Sequence, residues 1–495
     1  MKRLSSGFVP LVRIDPRGPV TLRRQLYECF RRSIAEGHLR PGQRVPSTRS
    51  LAKELKVSRT PVICAYEQLQ AEGYLRTIRG AGTCIATSIS GSIANRGLNG
   101  RALGRRTEAR RPSRRVMQLM ALPDESQRPI AGPFRVSLPA LDSFPQRPWA
   151  RWVSRHARHA SLEDMAYGDP MGYPQLRESI SEYLGAVRGV RCDADQIMVT
   201  SGSQQGLLTA LRALLEPGDA VWVEDPGYPG AHRALALEGC EAVPVPIDHE
   251  GLIVEAGMAR NPSARAAYVT PSHQYPMGMS LSANRRIQLL NWAQRSDAWI
   301  LEDDYDSEYR FGPQPIASLQ GLDTTDRVIY IGTFSKVLFP ALRMGYLVVP
   351  KDLLGAFRAT RDAMDIFAPT LYQRVLTDML REGHFARHIR RMRVIYAERR
   401  ERFIAALERQ FRNEIEIVSA EAGLHLVLLL PAGIDDKLLA RRLNDSNIAC
   451  VALSACCLQR PERGGLILGY GGVPPHGIDG AVRRLGKLLR EFDQS

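Results

Sequence analysis

The sequence lacks the long apolar runs and the cysteine patterns that mark several large classes of protein. No apolar run approaches the ~18 residues that a membrane-spanning helix needs, and the longest, such as residues 426–430, have the length of a strand. Residues 1–10 contain no apolar core long enough for a signal peptide. The eight cysteines show neither CxxC nor Cys/His spacing, which excludes a disulfide framework and a zinc module. We therefore expect a cytoplasmic protein with reduced thiols, no membrane partner and no bound metal.

Acidic residues are scarce in the first 135 residues, and this scarcity determines where the charge of the protein lies. Residues 1–86 hold 16 Lys and Arg against 6 Asp and Glu, and residues 87–135 hold 10 Arg against 3 acidic residues. The remaining 360 residues hold 41 basic against 43 acidic groups, so the formal net charge of +15 comes entirely from the N-terminal part. A uniform compositional bias would have spread the charge. The distribution instead predicts an N-terminal module that faces nucleic acid.

The chain divides into three parts. At roughly 100–200 residues per domain, its length suggests two to four domains. Residues 87–132 are rich in Ser, Gly, Asn, Pro and clustered Arg without a sustained apolar period, which predicts a flexible basic linker. From residue 133 onward, strand-like runs at 196–200, 220–224, 267–270, 299–301, 328–331 and 345–349 alternate with helical patterns. This alternation predicts an α/β body with a mostly parallel sheet, helices on both of its faces and βαβ connections.

The N-terminal part shows the pattern of three helices and a hairpin. From Thr21, apolar residues recur at a spacing of four and lie along one helix face, and Gly37 can end that helix. Ser47 and Ser58 can each N-cap a shorter helix. Two short strand-like segments then flank Gly-Ala-Gly at 80–82, which is typical of a hairpin. Residues 19–86 therefore predict a winged helix-turn-helix whose second short helix enters the major groove of double-stranded DNA.

The same pattern suggests which residues contact DNA. Arg59 and Thr60 would reach base edges from the exposed start of the recognition helix, and Ser47 and Ser58 would offer hydroxyl and N–H groups to phosphate. A single arginine would equally be a solvated surface charge, so the prediction depends on the combination. The candidate DNA-binding residues are Arg44, Ser47, Arg49, Ser58, Arg59, Thr60, Arg79 and Gly80, the last two reaching the minor groove from the wing.

In the body, Lys336 follows the strand predicted at 328–331. A lysine at the C-terminal edge of a strand is placed to form a Schiff base with an aldehyde cofactor. The hydroxyls of Thr333 and Ser335 and the guanidinium of Arg343 suit a phosphate dianion. An exposed lysine is the ordinary alternative for such a motif on its own.

Three further segments at strand ends support a cofactor site. In Leu-Glu-Asp-Asp-Tyr at 301–305, a carboxylate could hold a pyridine nitrogen protonated. We assign that role to Asp303, while Asp304 and Asp306 compete for it and are otherwise expected to be solvent or helix-cap groups. Thr-Ser-Gly-Ser-Gln-Gln-Gly at 200–206 opens a helix whose free N–H groups can hold a phosphate. Glu-Asp-Pro-Gly-Tyr at 224–228 places an aromatic ring where it could stack on a cofactor.

The N-terminal segments resemble the DNA-binding domain of GntR-family transcription regulators over about residues 19–86. The resemblance lies in RVPSTRSLA at 44–52, VSRTPV at 57–62, AYEQLQAEGYL at 65–75 and GAGT at 80–83. The body segments resemble the fold-type-I, aspartate-aminotransferase-like enzymes over about residues 133–490. That resemblance implies a PLP-dependent transferase fold with a smaller C-terminal α+β subdomain, and pyridoxal 5′-phosphate (PLP) as the cofactor.

The second resemblance implies a role for each matched residue. Lys336 corresponds to the Schiff-base lysine, Asp303 to the partner of the pyridine nitrogen, Tyr305 to the donor toward the phenolic oxygen and Tyr228 to the stacking aromatic. The phosphate cup corresponds to Ser203, Gln204, Thr333, Ser335 and Arg343. Tyr167, in Tyr-Gly-Asp-Pro-Met-Gly at 167–172, corresponds to a tyrosine that reaches the phosphate from the partner subunit, which implies a homodimer.

The fusion of the two parts resembles the MocR branch of the GntR family, which includes regulators similar to GabR and PdxR. The family implies PLP-responsive control of transcription, with effector chemistry at the cofactor altering DNA binding. An aminotransferase with an appended DNA-binding domain is the alternative.

Two departures from the aminotransferase pattern bear on this choice. Tyr275 stands where aminotransferases carry an asparagine that contacts the phenolic oxygen. Residues 451–457 lack the arginine that would clamp a substrate carboxylate, and neither Arg460 nor Arg463 can be matched to it. We therefore expect a sensor of PLP itself, or of an amine or unusual amino acid, without efficient transamination.

Two other residue patterns leave alternatives open. His273 is either a general base near the cofactor or a hydrogen-bonded pocket histidine, and the second is favoured. Cys456 and Cys457 are adjacent and have no spaced His or Asp partner, so we expect buried packing in place of metal or redox chemistry.

Overall fold

The computed structural model describes residues 14–78, 82–88, 111–122, 132–312, 316–412, 414–418 and 422–493. The chain separates into two compact units, Met1–Arg111 and Pro112–Ser495. Within the described ranges, no helix combines the length and the apolar character that crossing a membrane requires.

The N-terminal unit is a three-helix core with a β-hairpin. Its elements are α1 Leu22–Ala35, α2 Thr48–Glu54, α3 Arg59–Ala71, β1 Leu75–Ile78 and β2 Gly82–Ile85. Leu26, Phe30 and Ile34 are buried on one face of α1 as their spacing predicts, and the Phe30 ring meets the edge of Tyr66 at 5.3 Å. The strands pair antiparallel, with Leu75 opposite Ile85. This is the predicted winged helix-turn-helix.

The helix caps in this unit follow the prediction only in part. The Ser47 hydroxyl accepts a hydrogen bond from the Ser50 N–H at 3.1 Å and caps α2. Ser58 occupies the N-cap position of α3, but its side chain makes no capping hydrogen bond, so the predicted cap is wrong in that respect. Gly37 and Gly73 follow α1 and α3 with φ of 74° and 77°, where a residue without Cβ ends a helix at low cost.

The large unit is built on a mostly parallel sheet of eight strands among the described residues. The strands are β3 Ile197–Thr200, β4 Ala220–Asp225, β5 Glu241–Asp248, β6 Gly251–Leu252, β7 Ala266–Val269, β8 Trp299–Asp304, β9 Val328–Thr333 and β10 Gly345–Val348. Their order is β3-β10-β9-β8-β7-β4-β5-β6. The central strands β9, β8, β7, β4 and β5 run parallel, so their carboxyl ends meet at one edge of the sheet.

Helices cover both faces of this sheet. The helices of this part of the chain are α4 Arg114–Ala121, α5 Gln146–Arg158, α6 Pro174–Arg188, α7 Ser203–Leu214, α8 Pro229–Glu238, α9 Val254–Arg260, α10 Ala283–Arg295, α11 Leu319–Leu322, α12 Leu354–Asp365 and α13 Thr370–Arg381. Successive residues of β8 enter opposite apolar clusters, with Ile300 in the cluster of the stacked Trp222 and Trp292 and Leu301 in the cluster of Leu207. Such continuous burial is the mark of a strand covered on both sides.

A smaller α+β subdomain completes the large unit. Its elements are α14 His384–Phe411, β11 Glu416–Val418, β12 His425–Leu429, α15 Asp436–Asp445, β13 Val451–Ala452, β14 Gly465–Gly469 and α16 Pro475–Asp493. The strands pair antiparallel in the order β11-β12-β14-β13. The α/β fold class, with its mostly parallel sheet and C-terminal subdomain, is confirmed.

Helix α4 departs from the prediction of a flexible linker over residues 87–132. It is capped by the Ser113 hydroxyl, which accepts a hydrogen bond from the Val116 N–H at 3.4 Å, and it lies against α8 within the large unit. Val116 and Leu119, three residues apart, are its half-buried positions. An apolar pair this short does not stand out as a helical period in a basic, proline-containing stretch. Most of the predicted linker lies outside the described residues.

Candidate functional site

The main candidate site is a cavity of about 440 Å³ at the carboxyl ends of the parallel strands. Strands β4, β7, β8 and β9 each deliver side chains to it at the point where the strand ends, as the rule for open α/β sheets anticipates. The lining residues are Arg135, Ser137, Ser203, Gln204, Tyr228, Tyr268, Thr270, Tyr275, Asp303, Tyr305, Thr333, Ser335, Lys336, Pro340 and Arg343.

Ten of the eleven predicted cofactor residues line this cavity. They are Ser203, Gln204, Tyr228, Tyr275, Asp303, Tyr305, Thr333, Ser335, Lys336 and Arg343. The exception is Tyr167, which is 84% exposed and whose ring meets that of Phe367 edge-on, at 6.2 Å between ring centroids. The sequence reasoning missed Arg135, Ser137, Tyr268, Thr270 and Pro340. Tyr268 lies in β7 beside β8, and this position could have indicated it. Arg135 and Ser137 precede every recognised motif of the body.

One end of the cavity is suited to a phosphate. Helix α7 begins there at Ser203, so its first N–H groups have no partner within the helix and carry the positive end of its dipole. The Arg343 guanidinium lies over Gly202, where a Cβ would come within 3.4 Å of it. Gly202 also has a φ of 97°, which favours glycine. The side chains of Thr333 and Ser335 line the same cavity and add hydroxyl groups.

Lys336 and Asp303 bring charges of opposite sign into the cavity. The Lys336 Nζ is half-buried and lies 3.5 Å from the carbonyl oxygen of Ser137. Asp303 Oδ2 accepts a hydrogen bond from the Tyr268 hydroxyl at 2.6 Å, whereas Oδ1 is buried without a hydrogen-bond partner among the described residues. Burial raises the pKa of Asp303 to about 6, with Tyr268 and Lys336 opposing the rise and Asp304 adding to it. A buried oxygen without a partner, such as Asp303 Oδ1, can accept a hydrogen bond from a ligand.

The two neighbouring carboxylates have other partners. Asp304 forms a buried ion pair with Arg188 at 2.8 Å and accepts a hydrogen bond from the Tyr330 hydroxyl at 2.5 Å. Asp306 is 2% exposed and contacts His273. The prediction that both would be solvent or helix-cap groups is wrong for Asp304, which Arg188 buries and neutralises. Asp306 stands at the N-cap position of the short helix Ser307–Tyr309, but its side chain makes no capping hydrogen bond and is buried against His273. Asp303 is therefore the one carboxylate of the three that lines the cavity.

Three tyrosine rings form an aromatic side of the cavity. Tyr275 meets Tyr228 edge-on at 5.7 Å and Tyr305 at 6.1 Å between ring centroids. The Tyr305 hydroxyl lies 2.9 Å from His273 Nδ1. His273 is itself 2% exposed and does not line the cavity, so it is a buried hydrogen-bonded histidine behind Tyr305 and is not placed as a general base.

The C-terminal subdomain supplies no arginine to the cavity within the described residues. Arg463 pairs with Glu416 at 2.8 Å, and Arg460 lines a separate cavity of about 470 Å³ beside α15. Cys456 is fully buried and Cys457 half-buried, and neither forms a disulfide. Across the described residues, no group of three or more His, Cys, Asp and Glu side chains could hold a metal ion.

The second candidate site is the exposed face of the N-terminal unit where α2 and α3 begin. The Arg59 Nε donates to the Thr48 hydroxyl at 3.2 Å, which brings the starts of the two helices together. The predicted DNA-binding residues Arg44, Ser47, Arg49, Ser58, Arg59 and Thr60 are all exposed. Arg79 and Gly80 lie outside the described residues.

Comparisons with known proteins match both units. The family "Aminotransferase class I and II" matches residues 141–471, and "Bacterial regulatory proteins, gntR family" matches residues 22–85. The probable rhizopine catabolism regulatory protein MocR of Rhizobium meliloti is 40% identical over 482 residues, covering 97% of this chain and 96% of the relative. The pyridoxine biosynthesis transcriptional regulator PdxR of Corynebacterium glutamicum is 32% identical over 461 residues, covering 93% and 94%.

Solved aminotransferases resemble the large unit. The kynurenine aminotransferase of Pyrococcus horikoshii, in complex with PMP, has a TM-score of 0.68 and 28% identity, covering 80% of this chain and 99% of that one. LysN, the α-aminoadipate aminotransferase of Thermus thermophilus, complexed with N-(5′-phosphopyridoxyl)-L-leucine, has the same TM-score and identity and covers 77% and 96%. The chain therefore belongs to the MocR-type transcription regulators of the GntR family, and PLP is the cofactor of its aminotransferase-like body.

Proposed function

We propose that this chain is a cytoplasmic, homodimeric transcription regulator in which an amine effector, or PLP itself, acts at the Lys336 cavity and changes DNA binding by residues 19–86. The observation that carries the proposal is one cavity that combines Lys336, Asp303 and a phosphate-suited helix start, in a chain that also has a winged helix. Residues 133–490 form the sensing body.

The residues that line the cavity fit PLP. The buried Asp303 Oδ1 has no partner among the described residues and would accept a hydrogen bond from a protonated ring nitrogen. The start of α7, with Ser203, Gln204 and Arg343, would hold the phosphate, and the Thr333 and Ser335 hydroxyls would complete this cup. Bound PLP supplies an aldehyde that reacts with amines and a ring that withdraws electrons.

The remaining side chains orient and enclose the ligand. Lys336 would hold the cofactor covalently, and Tyr228 would stack on its ring. Tyr305 would donate a hydrogen bond to the phenolic oxygen, and Tyr275 would take the place of the asparagine found in aminotransferases. Together the tyrosines exclude water from one side of the cavity.

Within the described residues, the C-terminal subdomain supplies no arginine to the cavity. This favours an effector whose binding does not depend on a tightly held α-carboxylate. A charge-assisted hydrogen bond contributes about 1.5–3 kcal/mol, so its absence weakens the capture of ordinary α-amino acids. An amine would compete with Lys336 for the cofactor aldehyde. PLP itself is supported as an effector because the Corynebacterium glutamicum relative is named for pyridoxine biosynthesis.

A homodimer is supported by an exposed apolar segment beside Tyr167. Leu162 is 86% exposed, Met165 74% and Tyr167 84%. Contiguous apolar residues at such exposure mark an interaction surface. In a symmetric dimer this segment would contact the partner and bring Tyr167 toward its phosphate cup.

The DNA response is the direct test of the proposed function. A DNA fragment from upstream of the chain's own gene should be retarded by the purified protein in a gel at moderate salt. Addition of PLP, followed by candidate amines, should change the apparent dissociation constant. Absence of retardation under every condition would contradict the proposal, and steady conversion of an amino acid with a keto acid would instead support the aminotransferase alternative.

Acidification should weaken PLP binding through Asp303. At pH 5 a carboxyl group whose pKa is about 6 is about one-tenth ionised. The PLP dissociation constant, measured by absorbance titration, should therefore rise up to about tenfold between pH 7.5 and pH 5 beyond the change caused by titration of PLP. Asp303→Asn should bind PLP more weakly but should not show this added increase. An equal pH dependence in both proteins would contradict the assignment of Asp303.

A further inference from the structure

A buried chain of three polar side chains stands behind the cavity. Tyr305 lines the cavity, His273 lies behind it, and Asp306 lies behind His273. We propose that Asp306, acting through His273, is a positioning residue that turns the hydroxyl hydrogen of Tyr305 toward the cavity. The inference rests on the proposed function, because the acceptor for that hydrogen is the phenolic oxygen of PLP.

One nitrogen of His273 serves both neighbours. His273 Nδ1 lies 2.9 Å from Asp306 Oδ1 and 2.9 Å from the Tyr305 hydroxyl oxygen. The other nitrogen, Nε2, is buried and has no hydrogen-bond partner among the described residues. The backbone of Gly423 approaches the ring closely, since a Cβ at this position would come within 2.0 Å of the His273 Cε1 atom.

These contacts place a hydrogen on Nδ1 of His273. With the hydrogen on Nε2, a buried N–H would lack an acceptor and the Nδ1 lone pair would face the Asp306 carboxylate. With the hydrogen on Nδ1, that hydrogen bonds to the carboxylate, and the charge strengthens the bond. The second arrangement avoids both costs, so Asp306 holds the hydrogen on Nδ1.

The Nδ1 hydrogen decides where the Tyr305 hydrogen points. A protonated Nδ1 cannot accept a hydrogen bond, so the Tyr305 hydroxyl presents a lone pair to His273 and directs its hydrogen elsewhere. Burial raises the pKa of Tyr305 well above its usual value, so the hydroxyl keeps its hydrogen. The cavity side of Tyr305 offers the place for an acceptor.

The other charged and titratable groups around this cluster do not determine which nitrogen of His273 carries the hydrogen. Those that interact electrostatically with Tyr305, His273 or Asp306 are Glu224, Tyr275, Asp303, Tyr309, His425 and Tyr470, and Lys336 lines the same cavity as Tyr305. Burial lowers the pKa of His425 to about 4, so it is neutral at pH 7, and its Nε2 lies 2.9 Å from the Pro276 carbonyl oxygen. Within the described residues, Asp306 is therefore the carboxylate in direct contact with His273.

The test measures the absorption spectrum of bound PLP as a function of pH. A hydrogen bond to the phenolic oxygen stabilises the deprotonated form of the bound cofactor, so losing the donor raises the pH midpoint of the spectral change. Tyr305→Phe and Asp306→Asn should each raise that midpoint by about one pH unit, a tenfold change in the equilibrium. The double variant should match Tyr305→Phe alone, because Asp306 acts through Tyr305.

A matched pair at His273 separates hydrogen placement from packing. His273→Asn retains an N–H donor near the position of Nδ1 and should keep the midpoint within about 0.3 pH unit of wild type. His273→Leu, which has a similar size and no donor, should raise it as Tyr305→Phe does. An unchanged midpoint in Asp306→Asn and His273→Leu, or additive shifts in the double variant, would overturn the inference. A wild-type protein without a PLP absorption band would instead contradict the proposed function.

Discussion

Lys336→Ala should abolish covalent capture of PLP and with it the response of DNA binding to an amine. Without this side chain the cofactor is held only by the phosphate cup, Asp303 and the tyrosine rings. We expect the PLP dissociation constant to rise roughly 100-fold, which corresponds to about 2.8 kcal/mol. The visible band of the lysine-bound cofactor should be lost. Borohydride treatment followed by peptide mass analysis should find the reduced cofactor attached at Lys336 in wild type and no attachment at this site in the variant.

A matched lysine on the surface of the same unit provides the control. Lys351 forms an exposed ion pair with Asp193 at 2.6 Å and does not line the cavity. Lys351→Ala removes the same charge and should retain the band, the PLP affinity and the amine response. Persistent cofactor attachment in Lys336→Ala at another cavity residue would show that the assignment of Lys336 is wrong.

The Lys336→Ala variant also distinguishes a transcription regulator from an aminotransferase. An aminotransferase needs this lysine for every turnover, whereas a regulator needs it to exchange the cofactor with an effector. Ligand-dependent regulation requires that the effector bind two states of the protein with different affinity. If Lys336→Ala binds DNA as tightly as PLP-free wild type and no longer responds to amines, the lysine is part of the switch and not of the DNA contact.

The main cavity could be predicted from the sequence because its residues stand at strand ends. Asp303, Lys336 and Tyr228 each follow a short apolar run, and parallel strands bring such ends together. The fold class and the family are confirmed by the comparisons with known proteins. The individual roles of the site residues stay predictions.

The partners behind the cavity could not be predicted in the same way. Asp304 and Asp306 differ from Asp303 only by one and three positions, and their burial depends on Arg188 and His273, which belong to distant segments. A linear pattern indicates which side chains share a strand end but not which distant groups contact them. For the same reason Arg135, which comes from the segment before α5, was absent from the predicted site.

Helix α4 illustrates a third limit of the sequence pattern. Val116 and Leu119 are half-buried in a helix that packs against α8. They do not belong to an extended apolar period in the sequence. Helices this short are marginal in isolation and form mainly through tertiary packing. The basic composition of residues 111–115 therefore suggested a linker in a region where packing stabilises a helix.

Arg59→Ala should weaken specific DNA binding more than any other single change in the N-terminal unit. Arg59 begins α3, is exposed, and is oriented by its hydrogen bond to Thr48 at 3.2 Å. A bidentate contact from arginine to guanine contributes about 1–3 kcal/mol of discrimination, so affinity for the upstream fragment should fall roughly 10- to 100-fold. Affinity for a scrambled duplex of equal composition should fall much less, because that binding depends on total charge.

Arg24→Ala is the matched control because it removes one positive charge from the same unit. Arg24 lies on α1, where its exposed guanidinium pairs with Glu28 at 2.9 Å. An exposed pair of this kind contributes little to stability, so the fold should be retained. Titrations of both variants against both duplexes at several salt concentrations distinguish base recognition from charge. Arg24→Ala should reduce the two affinities equally. If Arg59→Ala also reduced both equally and only changed the salt slope, Arg59 would contact phosphate and another residue of α3 would read the bases.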